Sequence, residues 1–193
     1  MHGLAKALAF AGILGCLKRD AAEVDRVGSE LIELSTRHLF AQWLVAGQVF
    51  RGWSRSVAGD TAQGISWIQN GIEGWRAPGV MLAVPLFLAL KAEALHVAER
   101  TSESLEAIRE AEALVEKSEG RWFCAELHRL RAVFLAAMCA DEAQIEASFC
   151  EAIRIAKEQK SVSLATRAEA TYAEYRRQKA GASGGRGFRL PLC

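Results

Sequence analysis

Apolar side chains recur along the chain at intervals of three and four residues, and short polar or glycine-containing stretches break that rhythm about every twenty positions. This is the pattern of amphipathic helices joined by tight turns. Laid on itself at a shift of 40 or 41 residues, the chain brings three blocks into register: Leu39 to Gly79, Val80 to Gly120, and Arg121 to about Ser161. Each block reads as helix, turn, helix, turn. In the first halves Phe50, Leu90 and Leu130 coincide, followed by the small residues Gly52, Ala92 and Ala132. In the second halves Ile68, Ile108 and Phe149 coincide, followed by Gly71, Ala111 and Ala152. A large apolar residue beside a small one is what a buried knob and a close helix approach require.

Upstream, Leu4 to Leu17 and Ala21 to Thr36 form an earlier pair across Lys18-Arg19-Asp20, and downstream Val162 to Gln178 adds one unpaired helix. The expected fold is therefore all-α, with roughly nine helices in four and a half repeats. Asp60, Thr101 and Asp141 stand where new helices need their free amides capped. Gly79 and Gly120 stand where second helices end and a left-handed residue closes them. A pair of this kind cannot bury its apolar face alone, so the pairs are expected to stack into a right-handed solenoid over residues 1–178, with the first helices lining a concave groove. Residues 179–193, rich in Gly and Ser, are expected to be a flexible tail.

Composition narrows the chemistry. The chain has 193 residues, 51% of them hydrophobic and 24% charged, with 24 basic against 23 acidic side chains. A net charge of +1 gives no general attraction to phosphate backbones, which argues against nucleic acid as a partner. The five cysteines are widely spaced with no CxxC pair, so neither a disulfide framework nor a zinc site is expected, and a reducing, cytoplasmic setting is. Lys91, Glu93 and His96 interrupt the most apolar stretch, Val80 to Leu95, before it reaches bilayer-spanning length. Ile13-Leu14-Gly15-Cys16 after a short basic start is similar to a lipoprotein lipobox, which would make Cys16 an acylation site on an envelope protein. The competing reading is an alanine-rich amphipathic helix that contains a cysteine, and Met1-His2-Gly3 leads into that helix with almost no cap.

The run Trp122-Phe123-Cys124-Ala125-Glu126-Leu127-His128-Arg129-Leu130-Arg131 precedes an acidic, alanine-rich helix, and Arg51-Gly52-Trp53 precedes Gly64-Ile65. Over about residues 4–178 these features resemble the tetratricopeptide-like segment at the carboxyl end of large bacterial adenylate cyclase and ATPase regulators. The resemblance implies a helical array that senses or binds a partner protein, in bacterial signalling or regulation, beside catalytic domains that this sequence lacks. The repeat here is about 40 residues rather than the usual 34, and the familiar Trp, Leu, Gly, Tyr pattern occurs once, approximately, as Trp43, Ala46, Gly47 and Phe50.

Little in the chain looks catalytic. Gly181, Gly184, Gly185 and Gly187 are not followed by the lysine and helix of a phosphate-binding loop. Cys124 and His128, four apart on one helix face, could touch a metal or act as thiol and base, but neighbouring residues supply neither further ligands nor an orienting carboxylate. No cofactor and no metal are expected, and the tryptophans Trp43, Trp53, Trp67, Trp75 and Trp122 are expected mostly in the core. The repeat register instead points to Arg51, Lys91 and Arg131, equivalent positions on three successive first helices, with Gln48 and His128 flanking them. Such a line of cations would bind an acidic protein segment or peptide through charge-assisted hydrogen bonds; the alternative is a set of solvated cations balanced by Glu93, Glu126 or acids of neighbouring helices. The expected function is a non-catalytic interaction module. The alternatives are an envelope scaffold acylated at Cys16 or an accessory piece of a class III cyclase or ATPase regulator, with self-association through terminal helices as a further possibility.

Overall fold

The structure, a computed structural model, describes residues 1–117, 121–181, 188 and 190. It is all-helical among these residues, and within each compact unit helices that are neighbours in sequence pack on one another. The elements are α1 (His2–Lys18), α2 (Ala21–His38), α3 (Ala41–Val57), α4 (Thr61–Arg76), α5 (Val84–Val97), α6 (Thr101–Glu116), a single 3-10 turn (Arg121–Phe123), α7 (Cys124–Ala137), α8 (Glu142–Glu158) and α9 (Val162–Gly181). No described helix is long and apolar enough to cross a membrane. By its packing the chain divides into two compact units, Met1–Arg100 and Thr101–Cys193.

All four register sets are buried: Phe50, Leu90 and Leu130; Gly52, Ala92 and Ala132; Ile68, Ile108 and Phe149; Gly71, Ala111 and Ala152. The small positions are small because backbones meet there. A Cβ on Gly52 of α3 would lie 2.6 Å from the Gly64 carbonyl oxygen of α4, so α3 and α4 cross at a distance that no side chain permits.

Helix ends depart from expectation in detail. Gly79 does take a left-handed conformation, φ 81°, while Gly120 lies outside the described residues. Asp60 and Asp141 precede α4 and α8 but make no side-chain cap, and Asp60 instead accepts from Arg55 at 3.3 Å. Thr101 is the first residue inside α6. A side-chain cap does form at Asp20, which accepts from the Glu23 amide at 3.0 Å and so starts α2. Left-handed residues also occur where no glycine signals them, at Arg19, Leu39, Glu99, Cys139 and Lys160, each just past a helix end. Of the expected tail, 182–187, 189 and 191–193 lie outside the described residues, α9 continues to Gly181, the Phe188 ring lies 4.9 Å from that of Tyr175, and Leu190 is buried.

Each unit encloses one charged cluster. In the first, Glu93 of α5 is buried; one oxygen accepts from Arg19 and the other from the Trp53 indole, both at 2.7 Å. The Arg19 guanidinium also lies 5.4 Å from the centre of the Trp53 ring. Cys16 is buried beside this cluster, and burial pushes its thiol well above the ordinary range. In the second unit Glu126 and Arg129 of α7 are both buried and paired at 2.7 Å, with Arg167 of α9 at 3.4 Å from Glu126 and Thr171 at 3.4 Å from Arg129.

Removing one member of a buried ion pair leaves the other charge without its compensation. Glu93→Gln is therefore expected to destabilise the protein by about 3–5 kcal/mol, whereas Arg19→Met with Glu93→Leu costs much less, as measured by denaturant unfolding. Leu39 is 90% exposed with φ 57°. Leu39→Gly removes the left-handed Cβ conflict and is expected to raise stability by up to about 1 kcal/mol in the same assay.

Candidate functional site

Arg51, Lys91 and Arg131 occupy α3, α5 and α7 as the register requires, and two of the three are held by a carboxylate of the preceding second helix. Arg51 Nε lies 3.2 Å from Asp25 of α2, and its guanidinium sits 5.2 Å from the centre of the Trp67 ring, which Arg55 approaches to 4.9 Å. Asp25 also accepts from Ser54 at 3.2 Å. Arg131 lies 3.2 Å from Glu112 of α6. Lys91 is half-buried and has no ion pair among the described residues, and Gln48 is half-buried three positions before Arg51. Glu93 and Glu126, the acids nearest in sequence to Lys91 and Arg131, are occupied in the buried clusters.

Two hollows open beside these arginines. In the first unit Arg51, Asp25, Ser54 and Arg55 border a cavity of about 450 Å³ between α2 and α3. In the second unit a cavity of about 630 Å³ lies among α6, α7 and α8, bordered by Glu112, Arg121, Cys124, His128, Arg131 and Glu151 over an apolar floor that includes Val115 and Ile155. Arg131 and His128, both expected at the binding surface, thus meet in one cavity. The tryptophans divide: Trp53 and Trp75 are buried, Trp43 and Trp67 half-buried, and Trp122 exposed.

The electrostatics of the larger cavity follow from its partial burial. Burial pulls His128 below its ordinary value of 6.5; Glu112 and Glu151 oppose that shift, while Arg131 and Arg154 reinforce it. Its Nδ1 is 3.8 Å from Glu112. Burial pushes the Cys124 thiol up against the opposing influence of Arg121, so Cys124 is a thiol at neutral pH and not a thiolate. Glu151 is held below the usual carboxylate range by hydrogen bonds from Arg154. No cluster of three or more His, Cys, Asp or Glu side chains suited to a metal ion occurs among the described residues.

Asp25 and Glu112 escape a reading of the sequence because their partnership with the arginines depends on the rotation of each helix about its axis. Asp25 precedes Arg51 by 26 residues and Glu112 precedes Arg131 by 19, so no common spacing announces them.

A neutral His128 is favoured in the folded state, so its contribution to stability is present above pH 6.5 and is lost as pH falls below that value. A proton-titration series by NMR is expected to place the His128 ring below 6.5, with Arg131→Met moving it up and Glu112→Gln moving it further down.

No protein-family model matches the chain, and no solved structure does. An uncharacterized protein of Rhizobium meliloti (strain 1021) is similar, 25% identical over 167 residues that make up 86% of this chain. The chain spans 16% of the length of that relative.

Proposed function

We propose that this chain is a tetratricopeptide-like helical-repeat module that binds a partner protein or peptide, in bacterial regulation, without chemistry of its own. The observation that carries the reading is the shared placement of Arg51 and Arg131. Each is a register-equivalent cation on a first helix, each is tethered across to a second-helix carboxylate, and each borders an open cavity. An acidic side chain or a terminal carboxylate of a bound segment would exchange with Asp25 or Glu112 for the guanidinium, a substitution that keeps the charge compensated throughout. Lys91 offers a third cation at the equivalent position.

Packing between helices that are neighbours in sequence, with small residues at their crossings, supports the repeat reading. The match to 16% of a much longer relative fits a module that works as one segment of a larger regulator.

The test is capture of partners from a bacterial extract by the native chain and by the variant carrying Arg51→Ser, Lys91→Ser and Arg131→Ser, after circular dichroism shows equal helicity. A partner held by the native chain is expected to be lost from the variant, with affinity reduced roughly tenfold or more per cation removed. Equal capture by both chains would remove the cations from the binding surface.

A further inference from the structure

Glu112 of α6 is a carboxylate with half of its bonding satisfied. Its side chain is 17% exposed; one oxygen is held by Arg131 at 3.2 Å, and the other is closed off from solvent with no hydrogen-bond partner among the described residues. His128 Nδ1 stands 3.8 Å from that second oxygen, beyond hydrogen-bond reach. A buried acceptor in this condition has lost its solvation and gained nothing for it, so Glu112 depends on the bond it does make. Arg131 is 40% exposed, and its guanidinium is open to a ligand in the cavity of about 630 Å³ that both residues border.

That inequality selects the ligand. A plain carboxylate keeps Arg131 compensated but draws it away from Glu112, which is left as a buried charge with no partner. A plain cation displaces a guanidinium that already made the same bond, and Arg121 and Arg131 at the cavity wall repel it. Glu151 does not change this balance, because Arg154 already holds it. A ligand with both charges side by side fits between the two residues: its carboxylate takes Arg131, and its ammonium takes the place that the guanidinium leaves at Glu112. An α-amino acid carries these two groups on one carbon, the adjacency that a paired Glu and Arg present. His128, kept neutral by its burial, adds hydrogen bonding without adding charge. Below the charged wall the buried side chains of Val115, Leu127 and Ile155 form an apolar floor.

The corresponding pair in the first unit makes no such demand. Asp25 is 45% exposed and also accepts from Ser54, so water compensates it when Arg51 turns away, and the residues beside it are Ala21, Ala22 and Ala58. We infer that the cavity among α6, α7 and α8 binds a free α-amino acid with an apolar side chain, its carboxylate on Arg131, its ammonium on Glu112 and its side chain over Val115, Leu127 and Ile155. The site needs no partner protein and neither Arg51 nor Lys91, so it stands or falls apart from the partner-binding reading.

Calorimetric titration of the full chain with L-leucine, L-methionine and L-phenylalanine is expected to show saturable binding, with the His128 ring resonances shifting in step. Analogues that lack one charge, for leucine 4-methylpentanoate and 3-methylbutylamine, are expected to bind roughly tenfold more weakly or worse. Arg131→Met loses the amino acid, while Arg37→Ala, at an exposed cation of α2, leaves binding unaltered. Glu112→Gln has no charge left to compensate and is expected to accept 4-methylpentanoate at least as well as leucine, at native helicity by circular dichroism. A merely structural Glu112 would not reverse that preference. Failure of all three amino acids to bind, equal binding of 4-methylpentanoate and leucine by the native chain, or a Glu112→Gln chain with unchanged preference overturns the inference. Binding of the plain carboxylate alone assigns the cavity to an acidic partner segment, which overturns the amino-acid site and leaves the partner-binding reading in place.

Discussion

A carboxylate enters the interior of a helical stack only with positive charge and hydrogen-bond donors to meet it, and each unit of this protein is organised around one such meeting. In the first unit Glu93 gathers Arg19 from the end of α1 and Trp53 from α3, so one side chain joins three helices. In the second, Glu126 and Arg129 pair along α7, and Arg167 and Thr171 tie that pair to α9. Apolar packing supplies most of the stabilisation in both units and fixes where helices cross. The buried charges add a directional constraint, since each carboxylate keeps its hydrogen bonds only at one relative placement of the helices it joins.

Small residues do the complementary work between helices. Gly52 lies against Gly64, and Gly47 against Gly28, which brings α3 close to both of its neighbours. Close approach leaves the longer side chains to project at the edges of the contact, where Asp25, Ser54 and Arg51 meet. The cavity bordered by Glu112, His128 and Arg131 arises in the same way at the junction of α6, α7 and α8. Both sites are therefore by-products of how helix pairs nest, and a cation at the register position is what gives them a chemical character.

Much of the fold is legible in the sequence because helical periodicity and the alternation of large and small residues are local signals. Phe50, Leu90 and Leu130 are recognisable as core by their shared spacing, as are the glycines and alanines two positions later. The helix ends are less so: Asp60 has the right side chain in the right place, yet Arg55 claims its carboxylate. Leu39 and Cys139, both exposed, adopt left-handed conformations that close their helices locally with no glycine to announce them. Of the site, the arginines were visible through the register. Their carboxylates were not, because pairing across antiparallel helices is set by rotations that no fixed interval encodes.

Most packing in each unit joins helices one or two apart in the chain, so the loops closed during folding are short and the search is fast. The bond from Arg19 to Glu93 is different, since 74 residues separate its ends. Closing so long a loop costs more chain entropy than closing those between neighbouring helices, and packing of α2, α3 and α4 between its ends shortens the span still to be closed. A single buried carboxylate thus ties the two ends of the first unit together across a stack otherwise held by neighbour-to-neighbour packing.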